Sequence, residues 1–117
     1  MKERRQLENK LPYSIIDIRN LCTDETVIMT NHVRARCVER NILYNDIVNT
    51  IQTGEIIESY PEDYPFPSCL ICGASKNIYF LVVLSTDMNF LHIITAYHPN
   101  DDEWENDFKS RKRGNEQ

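Results

Sequence analysis

Tyr44-Asn-Asp-Ile-Val-Asn-Thr-Ile-Gln-Thr-Gly-Glu-Ile-Ile-Glu-Ser-Tyr60 changes its hydrophobic period halfway along. In the first half Ile47, Val48 and Ile51 recur at helical spacing, and Gly54 follows as a stop, so Tyr44–Gln52 reads as a helix. From Glu55 to Tyr60 the helical period is gone and the segment reads as a strand. The chain makes this switch once, with helical patterns before it and extended ones as far as His98. That order predicts an α+β fold rather than alternating α/β units.

Working outward toward the N-terminus, Thr30-Asn-His-Val-Arg-Ala-Arg-Cys-Val-Glu-Arg40 predicts a helix from Asn31 to Arg40, capped by Thr30 and followed by a break at Asn41-Ile-Leu. Before it, Leu11–Cys22 carries Ile15, Ile16, Ile18 and Leu21 and reads as another helix, entered through Pro12 and Ser14. Toward the C-terminus, Pro61-Glu-Asp-Tyr-Pro-Phe-Pro67 is a stiff proline loop. Strands are expected at Ser68–Gly73, Asn77–Ser85 and Asn89–His98, with Thr86-Asp-Met-Asn as a hairpin turn. Connections this short imply antiparallel pairing. The expected architecture is therefore N-terminal helices, a four-stranded antiparallel meander covered by helices on one face, and a short C-terminal helix at Asp101–Phe108. In the last strand, strict alternation would set Leu91, Ile93, Thr95 and Tyr97 against His92, Ile94, Ala96 and His98.

At 117 residues, 41% hydrophobic and 26% charged, the composition is that of one ordinary globular domain. No apolar run approaches the roughly 20 residues of a membrane-spanning helix. Met1-Lys-Glu-Arg-Arg has no apolar stretch behind it, so a signal peptide is not expected and the expected location is the cytoplasm. The net charge of −5 argues against broad attraction to nucleic acid. Positive charge is local: residues 29–54 balance to +1 and residues 109–117 to +3. Any anion site must be equally local.

The helix at Thr30–Arg40 offers one. His32, Arg36 and Arg40 stack along one face at i, i+4 and i+8, beside an apolar stripe of Val33 and Cys37. An imidazole and two guanidiniums in a row suit phosphate. A histidine at a helix start, where the dipole disfavours a cation, is suited to act as a general base. The alternative is a solvated charged face, with the arginines paired to Glu39, Glu55 or Glu58. His98, at the end of the last strand, is placed for exposure, with hydroxyls from Thr95 and Tyr97 near the same end. His92 sits mid-strand among aliphatics. Tyr60, Tyr64 and Phe66 suit either base stacking or packing within their own loop, and Asp63 either an acid or a turn.

Cys69 and Cys72 form a Cys-x-x-Cys in a strand, where residues three apart face opposite ways, a poor geometry for chelation. Buried thiols are expected there, against a zinc or redox alternative, and no cofactor or metal is predicted.

Several strings together resemble an uncharacterised bacterial family, the domain of unknown function 4258. They are Met29–Arg40 with its T-x-H-x-x-x-R-x-x-x-R pattern, Gly54–Tyr60, Pro67–Leu70, Ile93–Pro99, Trp104 and Arg111-Lys112. The resemblance implies an N-terminal extension at 1–28, a toxin-like α+β domain at 29–113 similar to RelE, ParE, BrnT and barnase-like ribonucleases, and a polar tail at 114–117. It marks His32, Arg36 and Arg40 on the helix, Thr95 and Tyr97 on the last strand, and Arg111. It also implies a toxin–antitoxin setting, with RNA as substrate and a zinc-finger or helix-turn-helix antitoxin as partner. The expected activity is metal-independent RNA cleavage, with His32 as base, Arg36 and Arg40 on the phosphate, and Tyr97 or His98 helping to protonate the leaving oxygen. The alternative is a non-catalytic interaction module, a reading that the acidic balance of the chain supports.

Overall fold

The computed structural model describes residues 11–99. Their elements run α1 (Ile15–Asn20), β1 (Val27–Ile28), α2 (Asn31–Glu39), α3 (Tyr44–Thr53), β2 (Glu55–Tyr60), β3 (Ser68–Ser75), β4 (Ile78–Thr86) and β5 (Leu91–Tyr97). The α+β order expected from the period switch at Gly54 is present. The expected helix at Asp101–Phe108 lies outside the described residues.

Local chemistry explains the helix ends. Ser14 caps α1: its hydroxyl accepts from the Asp17 N–H at 3.2 Å, and the Asp17 carboxylate accepts from the Ser14 N–H at 2.9 Å. Thr30 Oγ1 accepts from the Val33 N–H at 3.2 Å and starts α2. α2 stops because Asn41 takes a left-handed conformation, φ 63°. The Ile42 N–H then donates back to the Cys37 carbonyl at 2.8 Å, and the Asn41 N–H to Val38 at 3.1 Å. Leu43 has no side-chain oxygen with which to cap α3. Asp46 serves instead, accepting from the Leu43 N–H at 2.8 Å and from the Ser75 hydroxyl at 2.8 Å, with Lys76 Nζ at 3.8 Å. Burial pushes the Asp46 carboxyl up, but these donors and the Lys76 charge outweigh it and hold the group below the usual carboxylate range.

α3 is pressed onto β3 backbone to backbone. A Cβ added at Gly73 would lie 2.4 Å from the Thr50 carbonyl oxygen, and one at Gly54 2.4 Å from the Cys72 carbonyl oxygen. Gly54 thus ends α3 in an extended conformation, φ −90° and ψ −171°, and is glycine because of close approach rather than a left-handed turn.

The sheet has five strands in the order β1-β5-β4-β3-β2. The expectation of four antiparallel strands is corrected by β1, which pairs parallel with β5 in the register Val27↔Leu91 and Ile28↔His92. Two residues carry no readable period, and their pairing spans most of the domain, so no local signal marks them. β2 to β5 are antiparallel neighbours.

On the inner face Cys69, Ile71, Phe80, Val82 and Leu84 join one core with Ile18, Val33, Cys37, Ile47 and Ile51 from the helices. Fully burying an aliphatic side chain is worth about 1.5–3 kcal/mol, more than a surface ion pair, so this packing holds the helix layer in place. On the outer face Leu70, Cys72 and Leu81 cluster with Val83 and Tyr97.

One irregularity decides where the C-terminal strand points its side chains. Leu84 pairs with Ile93 and Val83 with Thr95, which leaves Ile94 as an extra residue in a β-bulge. The expected strict alternation of β5 therefore fails after Ile93. Ala96 joins Leu91 and Ile93 in the inner core, whereas Tyr97 joins the outer cluster. His98 follows the reversed parity, its ring 4.8 Å from that of the inner-core Phe80.

Candidate functional site

α2 docks along β5 through Val33 and Cys37, both buried, and this turns its cationic face toward the strand edge. His32, Val33, Arg36, Arg40, Ile94 and Thr95 together line a groove of about 210 Å³. The helix supplies the cations; the bulge supplies Ile94 and Thr95. The apolar stripe packs the helix into the core, and the cationic ladder beside it lines the groove.

The three ladder residues are not equivalent. Arg40 Nη1 donates to the Ala96 carbonyl at 2.9 Å and to Thr95 Oγ1 at 3.2 Å. These bonds occupy polar groups on the edge of β5 beyond the reach of the two-residue β1, so Arg40 fastens the helix to the sheet. Arg36 is half exposed, and its Nη1 lies 3.9 Å from Glu39 Oε1, a surface pair of little energetic weight. Arg36 can therefore turn to an incoming anion at small cost. His32 is exposed at the groove's helical start.

The other sequence-derived positions divide. Thr95 lies in the groove, its hydroxyl accepting from Arg40. Tyr97 lies across the sheet in the outer cluster, not among the groove-lining residues, because the bulge reverses its parity. His98 comes to the end of α2, its Nε2 3.2 Å from the Arg40 carbonyl, stacked at a tilt on Phe80 and outside the groove lining. Arg111 lies outside the described residues.

The cysteines sit as the strand geometry required. Cys69 packs in the inner core and Cys72 in the outer cluster, on opposite faces of β3. Burial pushes the Cys69 thiol up to about 12, with the Tyr13 hydroxyl bond opposing it only in part.

Sequence reasoning passed over a second concavity, of about 290 Å³, on the other side of Ile94. Ser68, Ser85 and His92 line it from three adjacent strands, and Asp63 and Phe66 line it from the proline loop. Phe66 and Asp63 are readable one by one as a stacking ring and an acid, but no local pattern joins them to Ser68, Ser85 and His92. They come together only through the cross-strand register, and the one local hint is a serine at either end of otherwise apolar strands.

Among the described residues, no helix is long and apolar enough to cross a membrane. No curated protein and no solved structure matches this chain. One family model does match, and its span ends at His98, short of Trp104 and Arg111. That model, the domain of unknown function DUF4258, covers residues 29–98, more than half of the sequence, and the chain belongs to this family.

Proposed function

We propose that the domain holds an RNA phosphate in the His32–Arg36–Arg40 groove and cleaves the strand as a metal-independent endoribonuclease of the bacterial toxin type. The observation that carries this reading is the convergence of an imidazole and two guanidiniums with Thr95 in one groove at a strand edge. Helices followed by an antiparallel run of strands support the RelE- or barnase-like part of the proposal.

In this reading His32 takes the proton of a ribose 2′-hydroxyl, and the 2′-oxygen attacks the adjacent phosphorus. Charge builds on the non-bridging oxygens, where Arg36 stabilises it and Arg40 adds the field of a guanidinium already fixed in place. The bond from phosphorus to the 5′-oxygen breaks, and that oxygen takes a proton from the imidazolium of His32 or from water. The products are a 2′,3′-cyclic phosphate and a 5′-hydroxyl. The protein would act in the cytoplasm, held in check by a small zinc-finger or helix-turn-helix antitoxin.

A second reading, a non-catalytic module that binds an acidic partner, is favoured by two features. The net charge is −5, and Tyr97 and His98 are not groove-lining residues, so among the described residues the groove has a single imidazole and no phenol. Induced expression of wild type and His32→Ala separates the readings. Growth arrest with RNA decay in wild type only supports the ribonuclease; intact RNA in both, with partner capture unaffected by the substitution, supports the module.

A further inference from the structure

The concavity beyond Ile94 is built around a polar row of two buried serines and a half-buried histidine. Ser68 pairs directly with Ser85, and Ser85 with His92, so the three side chains lie side by side on one face of β3, β4 and β5. Ser68 is 1% exposed and its hydroxyl donates to the Asp63 carboxylate. Ser85 is 8% exposed, and its hydroxyl has no hydrogen-bond partner among the described residues. A buried hydroxyl calls for a hydrogen-bond partner, and this one lines the concavity, where a ligand can supply it. Phe66 and His92 form one wall, their rings nearly parallel at 14° with centroids 6.0 Å apart. Tyr64 projects from the loop beside them, 94% exposed.

Aromatic planes beside a buried hydroxyl and a carboxylate suit a flat heterocycle with donors and acceptors on its edge. Ile94 lines this concavity and the cationic groove alike, so the two adjoin at a single side chain. We propose that the concavity is a nucleobase subsite. It seats a base of the same single RNA strand whose phosphate lies at His32 and Arg36, stacked on the Phe66–His92 wall, with Ser85 and Asp63 on its edge. The choice of RNA as ligand rests on the phosphate-groove reading; the stacking wall and the buried Ser85 hydroxyl do not.

The test is fluorescence anisotropy with two labelled probes of equal length. One is a 2′-O-methyl oligoribonucleotide, which cannot undergo 2′-hydroxyl attack; the other has the same backbone with abasic positions. Wild type is expected to prefer the base-bearing probe by about tenfold, the scale of a single base–aromatic stack. Phe66→Leu and Ser85→Ala should each shrink that preference and leave abasic binding unchanged. Arg36→Ala should weaken both probes alike. Thermal melts of each variant establish that it is folded, and Ser85→Ala covers the case in which Phe66→Leu is not. Equal affinity for the two probes in wild type, or a preference that survives both substitutions, overturns the base subsite, while weakening by Arg36→Ala keeps the phosphate reading. A base preference lost in Phe66→Leu and Ser85→Ala but with no effect of Arg36→Ala supports the subsite and sinks the phosphate reading. Binding of neither probe refutes both.

Discussion

Arg40 and Arg36 sit one turn apart on the same helix face, yet the structure gives them different work, and replacing each with alanine separates the two roles. Arg40 Nη1 makes two hydrogen bonds to β5, at 2.9 Å to the Ala96 carbonyl and 3.2 Å to Thr95 Oγ1. Bonds from a charged donor contribute about 1.5–3 kcal/mol each when buried, and less where water competes. Arg40 is partly exposed, so Arg40→Ala should cost about 2 kcal/mol in all. For a domain of this size 1 kcal/mol moves the melting temperature by about 4–8 °C, so a fall of roughly 10 °C is expected. Arg36→Ala removes only a half-exposed pair at 3.9 Å and should change stability by no more than about 0.5 kcal/mol. Circular dichroism melts, with urea titrations as a second measure, read the difference. Both variants should bind a phosphodiester less well, Arg36→Ala without any loss of fold. Equal melting temperatures for the two variants, or a larger loss in Arg36→Ala, would refute the assignment of Arg40 as the residue that fastens α2 to the sheet.

Other perturbations test the packing and the buried charge. Gly73→Ala places a methyl 2.4 Å from the Thr50 backbone oxygen, which cannot move without shifting α3. It should lose about 3 kcal/mol in urea unfolding, and a neutral result would mean that helix and sheet are not in backbone contact. Asp46 has its folded pKa depressed, so its stabilisation is present above the ordinary carboxylate value of about 3.9 and is lost as pH falls through the lower folded value. Asp46→Asn should lower stability at neutral pH and flatten the acid limb of a stability–pH curve; an unchanged acid limb contradicts the pairing. With its thiol pushed up to about 12, native Cys69 should resist a thiol reagent at mildly alkaline pH and react once unfolded, a contrast that mass spectrometry can read. Rapid native labelling of Cys69 would contradict its burial.

Much of the architecture was legible because its signals are local. The strand Glu55–Tyr60 begins and ends where the sequence placed it. Thr30 caps α2 as its side chain allows, and Asn41 breaks the helix as a residue tolerant of left-handed backbone. What stayed hidden depends on partners distant in sequence. β1 is two residues long and exists only because β5 offers it an edge. The bulge at Ile94 arises in the pairing of β4 with β5, and no period within β5 announces it. That single extra residue carries Tyr97 away from the cationic groove and toward Leu81. The ladder of His32, Arg36 and Arg40 was readable as a face, but the division of labour within it was not, since only the fold places Ala96 and Thr95 against Arg40. The row of Ser68, Ser85 and His92 is likewise a product of register across three strands.

The ribonuclease reading turns most directly on end-group analysis of RNA incubated with purified protein in the presence of a chelator. Wild type should leave 2′,3′-cyclic phosphate ends, and His32→Ala should cut their formation by about 10²–10⁴-fold, the usual worth of a positioned general base. Intact RNA with wild type, or equal cyclic-phosphate yield from His32→Ala, would contradict a catalytic His32 groove.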